Sequence, residues 1–127
     1  MFRGIIIEES LSDTLVLSDV RIVRTDIKPV TEKRKTPWIT QWTMHEVEVF
    51  EDQINTIAAR LSHAIDAAHV SSWYADLKND TTHYVIFSHK VFMIDRSQKH
   101  EYDAATSYGM SIGIPEYQLD FSSYVTK

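Results

Sequence analysis

Residues 72–95 constrain this chain more than any other stretch, because they read as three short strands with apolar side chains on both faces. Ser72 to Lys78, His83 to Phe87 and Lys90 to Asp95 are the predicted strands. Asn79-Asp80-Thr81-Thr82 and Ser88-His89 are the turns between them. Counting through these turns puts Leu77 opposite Tyr84 and Met93, and Ala75 opposite Ile86 and Val91. Trp73 shares that face. The other face carries Tyr74, Asp76, Lys78, His83, Val85, Phe87, Phe92 and Ile94, and it is also largely apolar. A sheet with two apolar faces must be covered twice. Helices are expected on one face. A second subunit is expected on the other, near Val85, Phe87 and Phe92. N-terminal strands curling over that face, or a ligand, are the alternatives.

The remaining elements follow from hydrophobic period and punctuation. Phe2 to Glu8 is a strand, and its successive Ile5-Ile6-Ile7 argue for a central place in the sheet. Thr14 to Leu17 is either a helical turn or an extension of the next strand. Val20 to Ile27 alternates, and Trp38 to Phe50 is the longest strand, with Val47 and Val49 alternating with Glu46 and Glu48. Ile54, Ile57, Ala58, Leu61, Ala64, Ile65 and Ala68 recur at spacings of three and four, which predicts a helix over 52–67. Ser97 is expected to cap a second helix that runs to Tyr108, with Gly109 stopping it. Tyr117 to Tyr124 is read as a short edge strand. The order β-β-β-α-β-β-β-α, with mostly hairpin connections, predicts an α+β fold. It would be a single largely antiparallel sheet of five to six strands with two helices packed on one face.

A chain of 127 residues is expected to form one domain, 1–127. Its longest apolar run is four residues, too short to span a membrane, and no early stretch resembles a signal peptide, so a cytoplasmic location is expected. With no Cys, disulfide, thiolate–metal and cysteine-nucleophile chemistry are excluded. The net charge of −5 argues against general nucleic-acid binding, which needs a basic face. The basic surplus sits in the loop 28–36, where Lys33, Arg34 and Lys35 could touch a phosphate.

Three constellations could carry chemistry. Asp76 and His83, with Tyr74 nearby, form a potential carboxylate–imidazole pair, the arrangement that general-base chemistry needs. Set against that is an Asp meeting solvent at a strand edge. Trp38 and Trp42, four apart beside the basic loop, could stack on a ligand ring or anchor an interface. Six histidines show no HExxH or HxH spacing, and His45 falls on the opposite strand face from Glu46 and Glu48, so no metal is expected. No GxGxxG and no GxSxG are present, and no cofactor is expected. The pattern favours a small non-catalytic binding or protein-interaction domain acting as a homodimer. A small-molecule-binding domain or small enzyme using Asp76, His83 and Tyr74 is the alternative. Nucleotide or nucleic-acid contact through the loop 28–36 is the second.

Overall fold

The β-branched and aromatic runs do form strands. A computed structural model describes residues 1–29, 41–66 and 73–126. Its strands are β1 (Phe2–Ile7), β2 (Arg21–Pro29), β3 (Gln41–Val49), β4 (Ala75–Lys78), β5 (Thr82–Phe87) and β6 (Lys90–Asp95). They form one sheet in the order β2-β3-β1-β4-β5-β6, and every neighbouring pair is antiparallel. The α-helices are α1 (Ile54–Ala64) and α2 (Lys99–Ser111). The fold is therefore α+β with one six-stranded antiparallel sheet. As expected from its Ile run, β1 lies inside the sheet, between β3 and β4.

The β4–β6 meander has the register that turn counting predicts, with Leu77 opposite Tyr84, Tyr84 opposite Met93, Ala75 opposite Ile86 and Ile86 opposite Val91. Both turns have local causes. The Asn79 side-chain oxygen accepts hydrogen bonds from the amides of Thr81 (3.0 Å) and Thr82 (2.8 Å), closing the first turn. At the second, His89 takes φ 60°, and its amide donates to the Ser62 carbonyl at 3.0 Å.

The two helices lie on opposite faces of the sheet, which corrects the expectation that both cover one face. One core joins Phe2, Ile6, Val47, Val49, Leu77, Tyr84 and Ile86 to Ile54, Ile57, Ala58 and Leu61 of α1. The other joins Val85, Phe87 and Ile94 to Tyr102 and Ala105 of α2, and to Ile114, Leu119 and Phe121 of the C-terminal segment. Strand alternation sends Tyr84 and Ile86 one way and Val85 and Phe87 the other. The second apolar face of the meander is thus filled by the chain itself. Val85 and Phe87 are fully buried, and Phe92 is half-buried against Tyr108. That face is not open to a second subunit.

The C-terminal segment performs this covering because it does not form the expected edge strand. Short 3-10 turns at Glu116–Gln118 and Ser122–Tyr124 replace it, and they drop Leu119 and Phe121 into the core. Thr14–Asp19 is likewise a 3-10 turn, which settles the ambiguity over 14–17. Gly109 lies within α2 rather than ending it. A Cβ there would approach the Leu119 methyl carbons to 2.7 Å, so its role is close packing. The left-handed residue that follows the helix is Gly113, at φ 99°. Ser97 does not cap α2. Its amide and hydroxyl instead donate to the Asp95 carboxylate, at 2.9 and 2.7 Å, and Gln98 precedes the helix.

The first helix is shorter than predicted. It ends at Ala64 because Ile65 becomes extended and bridges to Leu11. Ile65 remains buried all the same. Because Leu61 is fully buried between α1 and the sheet, Leu61→Ala is expected to cost about 2–5 kcal/mol in a denaturant melt.

Candidate functional site

The structure brings Asp76 and His83 into direct contact. Asp76 lies on β4, and β4 pairs with β5 so that Asp76 stands opposite Val85 while His83 faces Lys78. This diagonal placement leaves His83 Nε2 2.6 Å from an Asp76 carboxylate oxygen. On its other side, His83 Nδ1 lies 2.9 Å from the Tyr102 hydroxyl of α2. The ring is 0% exposed and is packed edge-on against Tyr102, Phe121 and Tyr124. The Asp76 side chain keeps 29% exposure. The result is a carboxylate–imidazole–phenol chain that ties β4, β5 and α2 together. Both ring nitrogens are engaged, so neither is free to reach a substrate.

Tyr74 does not join this chain. Its hydroxyl donates to the Gln118 carbonyl and so holds the C-terminal segment down. Burial, with Asp76 and Tyr124 nearby, pushes the Tyr74 phenol well above the ordinary tyrosine range. Burial likewise raises Tyr84. It raises Tyr102 too, against an opposing pull from Arg96. All three phenols therefore hold their protons to higher pH in the folded chain than in an unfolded one, where a tyrosine is half ionised at about pH 10. Their stabilisation is complete below pH 10 and is lost as pH rises above it. A spectroscopic alkaline titration is expected to show three of the six tyrosines ionising late, together with unfolding.

Of the aromatic pair, Trp42 is half-buried, with its ring centroid 5.8 Å from that of Trp73. Trp38 lies outside the described residues, as do Lys33, Arg34 and Lys35 of the basic loop. Three open clefts, of about 630, 610 and 490 Å³, are lined by other residues than Asp76, His83, Tyr74 and Trp42. Tyr102 borders the largest, between α2 and the C-terminal segment, but its hydroxyl is turned to His83.

Two polar arrangements escaped sequence reasoning. Tyr102 is the third member of the His83 chain. Its spacing with Ala105 and Gly109 marks a helix stripe, but nothing local pairs it with a residue 19 positions earlier. The second arrangement centres on His45, which is buried between the Thr25 hydroxyl (2.8 Å) and Glu8 (3.0 Å). The neighbouring Glu9 accepts from the Thr43 amide and hydroxyl at 2.5 and 2.7 Å. The glutamates that follow β1 thus pin β3. As alternation predicts, neither Glu46 nor Glu48 meets His45. Among the described residues no three His, Asp or Glu gather as metal ligands would. Also among the described residues, no helix is long and apolar enough to cross a membrane.

Comparison with family models, with curated proteins and with solved structures found no match to this chain, so its functional reading rests on geometry.

Proposed function

We propose that this chain is a non-catalytic protein-interaction domain acting as a homodimer. The observation that carries this reading is where apolar surface is left in water. The nine-residue strand β2 is exposed along almost its whole length, and it shows Ile22, Val23 and Ile27 at 42%, 45% and 63% exposure. Such a strand resembles an unfilled contact rather than an ordinary protein surface. By contrast, the residues best suited to acid–base work are consumed in internal bonding. His83 has a partner on each nitrogen, is fully buried, and does not itself line any of the three clefts. A cytoplasmic location fits the reading but is not required by it.

Light scattering at micromolar concentration tests the proposal. A particle of twice the 14.7 kDa chain mass is expected, whereas a monomer at every concentration would remove the homodimer. A hydrolytic or transfer activity that disappears in Asp76→Asn would replace this reading with the catalytic one.

A further inference from the structure

We infer that the homodimer forms by edge-to-edge pairing of β2 with the β2 of a second copy, antiparallel and centred on Thr25, which continues the sheet across a two-fold axis. This rests on the interaction-domain reading above and assigns its surface and its geometry.

The first support is position. Among the described residues β2 is an end strand of the sheet and pairs with β3 alone, so its other side presents a row of amide and carbonyl groups. At nine residues it is one of the two longest strands. The opposite end strand, β6, has six residues.

The second support is charge. A two-fold axis normal to the sheet keeps each sheet face on its own side, so residues that meet across it must share a face. Centring on Thr25, the midpoint of Arg21–Pro29, gives the longest overlap. It also sets Arg24 of each copy opposite Asp26 of the other, twice per dimer. Arg24 and Asp26 do share a face, since they stand opposite Glu46 and Met44 of β3. Moving the centre to Arg24 would put Arg24 against its own copy. Moving it to Asp26 would put Asp26 against its own copy, and Arg24 against Lys28. Like charges directly opposite destabilise a strand pair. Centring on Ile27 leaves only residues 25–29 of the strand overlapping.

The third support is the apolar content of the same register. Thr25 meets Thr25, and the exposed Val23 lies across from the exposed Ile27 of the other copy. Cross-strand aliphatic and threonine pairs of this kind stabilise antiparallel sheets. The β2–β3 register shifts between Ile22 and Arg24, so the regular core of the two-fold pairing is Arg24 to Asp26 of each copy, with the Val23 and Ile27 contacts flanking it. Against a foreign strand, Arg21, Arg24 and Lys28 would act as guards of the edge. A second copy supplies the acid that Arg24 needs. In the single chain Arg24 bridges to Asp26 of the same strand, both well exposed, and pairing exchanges this contact for its intermolecular equivalent.

The test uses three variants in the full chain: Arg24→Asp, Asp26→Arg and Thr25→Cys. Each single charge change puts like charges opposite twice per dimer. Each is expected to weaken self-association roughly tenfold or more by sedimentation. Mixing the Arg24→Asp chain with the Asp26→Arg chain makes both pairs complementary again, and a one-to-one dimer is expected to return. An ion pair within one strand cannot be rescued by mixing. Thr25→Cys introduces the only cysteine of the chain, at the axis. It is expected to give a covalent dimer under mild oxidation, since facing strand residues lie within disulfide reach. Circular dichroism verifies that each variant folds. A wild-type dimer that neither charge change weakens would overturn this interface and leave the homodimer standing. A wild-type monomer, together with a Thr25→Cys chain that gives no cross-link, would overturn both.

Discussion

Gly4→Ala is expected to destabilise the fold by about 3 kcal/mol, the upper range for forcing atoms into a packed site. Gly4 lies on β1, opposite Val47 of β3 and Leu77 of β4. A Cβ at this position would overlap the Asp76 backbone carbonyl oxygen and come within 2.9 Å of a Leu77 methyl carbon. The obstacle is backbone, so no rotamer change relieves it. The strand must move away from β4, and β4 carries Asp76 of the buried polar chain. A denaturant melt measures the loss. Gly113→Ala provides the contrast, because there the cost comes from the left-handed backbone at φ 99° and is about 1–2 kcal/mol. Equal effects at the two glycines would mean that β1 and β4 have room between them.

His83→Leu is the second large effect, with an expected loss of about 2–4 kcal/mol from stranding the partners of a buried hydrogen-bonded group. Leucine fills much of the space but offers nothing to Asp76 or Tyr102. The Tyr102 hydroxyl is buried with its residue, whereas the Asp76 carboxylate keeps contact with water. Tyr102→Phe removes one link only and is expected to cost about 1 kcal/mol, the net worth of a typical hydrogen bond. The double variant His83→Leu, Tyr102→Phe should be more stable than the sum of the single changes predicts, since their shared bond is lost once. Wild-type stability in His83→Leu would show that the chain does not hold the layers together. Neither change should alter self-association, because β2 lies at the other side of the sheet.

Local pattern made much of this fold legible. The spacing of Ile54, Ile57 and Leu61 marks a helix because 3.6 residues per turn leaves one face to bury. The meander register followed from turn lengths alone because side chains alternate with a period of two. Asp76 and His83 could be placed near each other by the same counting, since they are neighbours across one hairpin. The helix ends were less legible. Ile65 keeps the apolar spacing of α1 and is buried, yet it belongs to a bridge with Leu11, and periodicity cannot see that change of backbone.

What the sequence by itself determined is therefore short-range: the six strands of the sheet, the two helices, the antiparallel hairpins and the largely apolar character of both faces of the meander. Which partner covers each face was decided only in three dimensions. An apolar side chain carries no address, because hydrophobic burial is non-directional and is satisfied equally by a helix, a tail or a second subunit. Here α2 and the turns after it cover the second face, and β2, at the far edge, keeps Ile22, Val23 and Ile27 exposed. The third member of the polar chain, Tyr102, and the partners of His45 were hidden for the same reason. Their contacts join residues 19 to 37 positions apart, and nothing within one turn or hairpin specifies such distances.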